Sequence, residues 1–285
     1  MRPSSATSWI ARLQRWAEND ANIRLALVVG SQARKEVPAD SFSDIDVAVF
    51  ARDPDRVLRD EGWISGLGLY WTSHTEGNAL DSGEERRVLF QDGQDVDFAV
   101  FPVGFVGLVG ADARAAKVLQ RGFRTLVNKD SSDLVVPGEE ALPVPPTWAD
   151  FSNLVNDYWF HLIWTAKKLR RGELLTALEA TNGYLRMLLV RTARWHALVH
   201  GPSGRDLWHG ARFFERWADP RAVRDFSETV AGYEAKSIAD SLRGHRTLFL
   251  WLSDEVAQAL RFRAPIQDRA GMSMYLDRLL DSTGL

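Results

Sequence analysis

Residues 25–50 read LALVVGSQARKEVPADSFSDIDVAVF, and the fold turns on how this stretch is parsed. Leu25, Ala26, Leu27, Val28 and Val29 form a short, wholly apolar run closed by Gly30, the pattern of a buried strand ending in a turn. A 13-residue connection, 31–43, leads to a second strand that opens with Asp44 and Asp46. Side chains two apart on a strand share a face, so these two carboxylates lie side by side. Like charges so placed destabilise a sheet unless a cation sits between them. A divalent metal is the natural counter-charge, since hard cations prefer carboxylate oxygens. Gly30-Ser31 adds a turn with bare backbone N–H groups and one hydroxyl, which can cradle phosphate oxygens. Alone, an Asp-x-Asp is usually a solvated turn and a Gly-Ser pair only a bend. Together in this order they describe the machinery of phosphoryl or nucleotidyl transfer.

The chain has 285 residues, enough for two domains with their own cores, and its 45% hydrophobic and 26% charged content is that of an ordinary globular protein. A formal charge of −3 argues against a nucleic acid partner, which calls for a basic surface. Cysteine is absent, so disulfides, zinc-thiolate sites and a cysteine nucleophile are excluded, as suits a reducing cytoplasm. The N-terminal residues lack the apolar core of a signal peptide, and no window approaches 18 uninterrupted apolar residues, so no membrane span is expected.

Working outward, residues 8–18 place Trp9, Ile10, Leu13, Trp16 and Ala17 at helical spacing. A helix is expected over 55–64 and strands over 67–72 and 87–91. Asp92-Gly93 is a hairpin signal leading into a strand at 95–101, DVDFAVF. That strand carries Asp95, read as a turn-edge residue, and Asp97, flanked by Val96 and Phe98, where an uncompensated charge is costly. A helix over 112–121 and a short strand over 123–127 follow, then Lys129 and Asp130. Four prolines and a glycine in 137–146 break regular structure and mark a linker. Long helical patterns then run over 150–171 and 173–199, followed by segments at 211–217, 221–229, 233–262 and 273–280.

With these residues in view, the sequence resembles the aminoglycoside 6-adenylyltransferases, streptomycin-modifying enzymes with a polymerase-beta-like nucleotidyltransferase core. The likeness runs from GSQARKEVPADSFSDIDVAVF through DEGWISGLG, RVLFQDGQDVDFAVFPV, RTLVNKD, NDYWFHLIWTAKKLRRGELLTALEA, RFFERW and EVAQALRFRAP, in order along nearly the whole chain. It implies an α+β protein: a nucleotidyltransferase domain over 1–136 with a mixed sheet flanked by helices, a Pro-rich linker over 137–147 and a helical bundle over 148–285. It implies transfer of AMP from ATP to an aminoglycoside hydroxyl with Mg2+, in the cytoplasm, by a monomer. Residue by residue, Gly30 and Ser31 match the phosphate-binding turn, Asp44 and Asp46 the metal pair, and Asp97 the third carboxylate, as ligand or base. Lys129 matches a nucleotide-side lysine. Two departures stand out. Gln32 replaces an arginine that commonly follows Gly-Ser, a charge that Arg34 or Lys35 could supply instead. His209 and Arg212 fall near positions where lysines are usual.

A polycationic acceptor needs carboxylates and aromatic faces, and the expected site between the domains would draw on Asp157, Trp159 and Glu179, with Tyr158, Trp164 and Tyr184 as further aromatics. Core packing is the competing reading for each aromatic. His196 and His200 have metal-ligand spacing on a helix, but no HExxH glutamate and no third ligand are evident, so no zinc site is expected. His161 and His245 read as structural. Lys167, Lys168, Arg170 and Arg171 read as a solvated helix end. Ser31 lacks an adjacent base for covalent catalysis. The same core could instead act on another acceptor such as a lincosamide, or persist as a non-catalytic nucleotide-binding homologue; the intact turn and three aspartates weigh against the latter.

Overall fold

The computed structural model describes residues 6–34, 39–78, 83–136, 138, 143–202, 207 and 211–281. It divides into two compact units, Met1–Ala141 and Leu142–Leu285.

The first unit is a six-stranded mixed sheet in the order β3-β4-β5-β2-β1-β6. Its strands are β1 (Ile23–Val29), β2 (Ile45–Ala51), β3 (Tyr70–Gly77), β4 (Glu84–Phe90), β5 (Asp95–Pro102) and β6 (Arg124–Asn128). The most apolar runs, β1, β2 and β5, take the middle, where both faces are covered. β2 and β5 are parallel and in register from Ile45↔Val96 to Ala51↔Pro102; the other pairings are antiparallel. Alternation along the pleat sorts the side chains. Ile45, Val47, Val49, Val96, Phe98 and Val100 face α1 (Ala6–Asn19), which buries Trp9, Ile10, Leu13 and Ala17 against them. Ala48, Phe50 and Phe101 face the other way, toward Val106 and Val109 and toward Ala115 and Leu119 of α4 (Ala113–Gln120). Fully buried aromatics such as Trp9, Phe90 and Phe98 each remove about 150–250 Å² from water. At about 25 cal/mol per Å² that is roughly 4–6 kcal/mol apiece before chain entropy opposes it. Trp9 also donates its Nε1–H to Asp92 at 3.0 Å, tying α1 to the β4–β5 turn.

Three expectations are corrected in this unit. The helix expected over 55–64 is two short pieces, α2 (Pro54–Leu58) and α3 (Ile64–Leu67). The Asp60 carboxylate accepts from Gly62 N, a local turn that competes with helix continuation. β3 begins and ends later than expected, at Tyr70 and Gly77, because it is an edge strand. Its polar residues Ser73, His74, Thr75 and Glu76 pair with β4 rather than forming an apolar run. β4 likewise starts at Glu84 rather than Arg87, its polar first half being held by that same pairing.

The second unit is helical: α5 (Trp148–Arg170), α6 (Leu174–Glu179), α7 (Arg186–His200), α8 (Phe214–Trp217), α9 (Pro220–Asp225), α10 (Ala235–Leu260) and α11 (Arg269–Asp281). A capping box between Thr147 and Asp150 starts α5, satisfying two of its orphan N–H groups. Its end carries Lys167, Lys168 and Arg170, matched to the negative end of the helix dipole. α5, α7 and α10 bury Phe151, Leu154, Leu162, Leu189, Leu242, Phe249 and Leu252 in one core. The single helix expected over 173–199 is interrupted by a π-helical turn at Ala180–Leu185. There the Asn182 side chain exchanges hydrogen bonds with the Ala231 backbone. The helix expected over 211–217 is confined to α8, because Phe213 takes a left-handed φ of 53°.

Candidate active site

Everything at the site follows from the β2–β5 register. Asp46 pairs directly with Asp97, so both carboxylates lie on the α4 side of the sheet. Asp44 stands just ahead of β2, and the three offer oxygens within 4.8 Å of one another. β1 pairs Val29 with Asp46, which brings the next residue, Gly30, against that carboxylate. Gly30 has φ +64°, and a Cβ built there would stand 2.0 Å from Asp46 Oδ2. Only glycine permits both this backbone and this approach. The turn Gly30–Gln32 is a single 3₁₀ turn whose Gly30 carbonyl accepts from Ala33 N and Arg34 N. Ser31 is buried, and its hydroxyl has no hydrogen-bond partner among the described residues. Such an orphan costs about 1–3 kcal/mol and is what a phosphate oxygen would satisfy. The Gln32 side-chain amide donates to the Asp44 carbonyl at 3.4 Å, fastening the turn to the carboxylate pair.

The electrostatics are those of a charge cluster short of cations. Burial, then Asp44 and Asp97, then Glu85, push the Asp46 carboxyl up to about 7, with Arg87 opposing. Burial raises Asp97 to about 6; Arg87 pulls it down, while Glu85, Asp44 and Asp95 push it up. Arg87 Nε lies 3.5 Å from Asp97 Oδ2, but Arg87 is shared with Glu76 at 2.8 Å and Glu85 at 2.7 Å. Three converging carboxylates with one shared guanidinium at their edge form a hard-oxygen donor set, which fits a divalent cation.

A family profile described as streptomycin adenylyltransferase matches residues 4–279. The chain belongs to the streptomycin adenylyltransferase family.

Membership in the streptomycin adenylyltransferase family makes it an adenylyltransferase. An aminoglycoside 6-adenylyltransferase of Bacillus subtilis is 24% identical over 92% of this chain and 93% of its own length. One from Campylobacter jejuni is 23% identical over 95% of this chain and 94% of its own. A crystal structure of an aminoglycoside 6-adenyltransferase from Bacillus subtilis matches with a TM-score of 0.46 and 20% identity, over 98% of this chain and 100% of that one.

Of the residues singled out from the sequence, Gly30, Ser31, Asp44, Asp46 and Asp97 come together, and Lys129 does not. Lys129 Nζ donates to the carbonyls of Ala17 and Asp20, each at 2.7 Å, capping the end of α1. Its backbone N–H bonds Arg24 O, at the start of β1, whereas Gly30 follows the end of that strand. Six residues of extended chain separate the two places by about 20 Å. Asp130 beside it pairs with Arg24. Lys35 and His209 lie outside the described residues. Arg212 is exposed, its guanidinium 5.1 Å from the Phe213 ring.

In the helical unit, Trp159 is 1% exposed and packs largely in the core, though it also lines the groove that Asp157 borders. Tyr158 is buried too, stacked on Phe249 at 3.6 Å and bonded through its hydroxyl to His245 Nδ1 at 2.7 Å. Asp157 keeps 26% of its side chain exposed and lies 2.6 Å from His161 Nδ1. Tyr184, inside the π-helical turn, donates its O–H to Asp157 Oδ2 at 2.9 Å. Asp157 also lines a groove of about 720 Å³ with Asn153, Asn156, Phe160 and Gln267. Glu179 is exposed at the end of α6, where the π turn begins.

Arg87 and Glu85 are the members of the cluster that sequence reading passed over. Asp92-Gly93 read as a two-residue turn would set Arg87 opposite Phe98, whereas the observed turn, closed between Phe90 and Gln94, sets it opposite Asp97. The hairpin was legible in the sequence, but its register was one residue out, which is enough to hide the Arg87–Asp97 pair.

The raised carboxyls carry a stability signature. Folded Asp46 and Asp97 hold their protons to higher pH than the unfolded chain does, so the stabilisation is complete below about pH 4 and disappears as pH rises through about 6–7. Thermal melts in EDTA should therefore show the wild-type chain losing stability between about pH 4 and 7 relative to Asp46→Asn. Parallel profiles for the two proteins would contradict it.

Proposed function

We propose that this adenylyltransferase moves AMP from ATP onto a hydroxyl of an aminoglycoside, streptomycin first among them, with Mg2+. The observation that carries the reading is the convergence of Asp44, Asp46 and Asp97 beside a glycine turn with an unsatisfied buried hydroxyl. The Ser31 hydroxyl and the turn's backbone N–H groups hold phosphate oxygens of the nucleotide. Asp44, Asp46 and Asp97 would hold Mg2+, which when bound offsets the charge that builds on the triphosphate. With a cation held there, Asp46 and Asp97 would give up the protons that burial and their neighbours' charges otherwise keep on them. Asp97, edged by Arg87, accepts the proton of the attacking hydroxyl while pyrophosphate leaves from the far side of the α-phosphorus. Arg87 holds that carboxylate in place through its bonds to Glu76 and Glu85.

Acceptor recognition falls to Asp157, a partly exposed carboxylate between His161 and Tyr184, suited to an ammonium or guanidinium group. Asp157→Asn should raise the acceptor KM about 10- to 100-fold, as loss of one charged hydrogen bond implies, and leave the ATP KM nearly unchanged. Steady-state kinetics with each substrate varied in turn decides this. A matching rise in the ATP KM would remove Asp157 from the acceptor site. The enzyme would work in the cytoplasm, where ATP is available, as a monomer.

The activity itself is tested by incubating the protein with ATP, MgCl2 and a panel of aminoglycosides and lincosamides, then reading masses. One aminoglycoside should gain a single AMP, with pyrophosphate released in equal amount. A panel left unmodified, or a gain on a lincosamide alone, would overturn the assignment.

A further inference from the structure

Outside the catalytic unit, one cluster has the composition and geometry of a ligand set. His196 and His200 stand one turn apart on α7 and face Glu255 on α10. Both Nε2 atoms lie 3.6 Å from the same Glu255 oxygen, Oε2, and all three ligand atoms fall within 4.8 Å of one another. At 3.6 Å neither imidazole makes a hydrogen bond to that oxygen. His200 Nε2 has a long contact of 3.4 Å with the Glu255 carbonyl. His196, by contrast, is 3% exposed, and its Nε2 has no hydrogen-bond partner among the described residues. A buried nitrogen aimed at a carboxylate yet unbonded to it is unusual in a settled core.

We propose that His196, His200 and Glu255 bind a zinc-class divalent cation that joins the end of α7 to α10. Two imidazoles and one carboxylate are a known zinc donor set, with the fourth tetrahedral position left to water. Zinc–nitrogen and zinc–oxygen bonds of about 2.0–2.2 Å at tetrahedral angles separate neighbouring donors by roughly 3.3–3.5 Å. The two histidine–glutamate separations of 3.6 Å need only a slight closing, and the two imidazoles, within 4.8 Å of each other, must draw together further. The surroundings also suit a ligand set. Trp251 donates its Nε1–H to Glu255 Oε1 at 3.2 Å, which orients the carboxylate and leaves Oε2 for the ion. The Trp251 ring packs 4.9 Å from His196 and carries Arg221 at 4.4 Å on it, covering the site with an aromatic wall. The spacing of His196 and His200 was visible in the sequence; Glu255 was not, because helix pairing rather than proximity along the chain supplies it.

The test uses the full chain freed of metal by dialysis against a chelator. It is titrated with ZnCl2 by calorimetry, and with CoCl2 by absorbance, where four-coordinate cobalt gives visible d–d bands. His200→Gln and Glu255→Gln are the variants, since both side chains are 40% exposed and the fold should tolerate the change. Asp46→Asn separates this site from the carboxylate cluster. The expected result is one zinc per chain in Asp46→Asn, with the cobalt bands and a melting temperature raised by zinc in both wild type and Asp46→Asn. Either histidine-site variant should bind at least about 100-fold more weakly and lose the bands and the thermal shift. Zinc uptake by wild type no greater than by His200→Gln, or uptake lost only in Asp46→Asn, would overturn the proposal.

Discussion

Asp46→Asn is expected to lower adenylyl transfer by at least about 10³-fold while making the folded protein more stable. Both halves come from one fact: Asp46 is a half-buried carboxylate crowded by the charges of Asp44, Asp97 and Glu85. In the reaction proposed above, it supplies negative charge where metal and triphosphate meet. Losing it removes transition-state stabilisation of several kcal/mol, and about 4 kcal/mol is 10³-fold in rate. In the protein without metal the same charge is a burden. Holding a carboxyl at about 7 instead of 3.8 corresponds to about 4 kcal/mol of unfavourable ionisation at pH 8. The amide is close to isosteric and uncharged, so it relieves that strain. Turnover assays and chemical denaturation at pH 8 in EDTA, run on the same preparation, read both effects. A variant that kept a tenth of the activity, or was less stable than wild type, would contradict the role given to Asp46.

Gly30→Ala should damage the same site from the opposite direction, by moving a carboxylate rather than neutralising it. The added methyl would stand 2.0 Å from Asp46 Oδ2 and 2.9 Å from its Cγ, so Asp46 must turn away or the turn must open. Alanine also resists φ +64°, at about 1–2 kcal/mol. Displacing a catalytic group by about 1 Å costs on the order of 10²-fold in rate. Activity should fall at least that far, with a stability loss of about 1–2 kcal/mol. Adding the methyl at Gly93, which has φ +89° but open space where the Cβ would go, should cost stability alone. Equal activity losses at the two glycines would show that backbone strain, not the approach to Asp46, is responsible.

The sequence was most informative where side chains are apolar and strands central. β1, β2 and β5 announced themselves as hydrophobic runs, and the face shared by Asp44 and Asp46 followed from their spacing; Asp97 joins them through the parallel β2–β5 pairing, which the sequence did not specify. β3 was shifted because an edge strand built on Ser73, His74, Thr75 and Glu76 carries no burial signal. Lys129 illustrates a different limit. It follows β6, but the antiparallel pairing of β6 with β1 returns the chain to the wrong end of the sheet for a phosphate ligand. Only topology reveals this. In the helical unit, three successive aromatics meet different fates, Tyr158 at 0%, Trp159 at 1% and Phe160 at 64% exposure. Composition cannot separate them, whereas the phase of α5 against its neighbours does.

The in-register seating of Asp46 beside Asp97 also constrains how this lineage can change length. Side chains alternate between the two sides of a sheet, so one residue gained or lost inside β5 ahead of Asp97 would swing that carboxylate to the α1 side. Divergence by insertion is thereby channelled into the connections, such as 129–136, where no pleat has to be kept. The paired strands act as a ruler that the rest of the chain must accommodate.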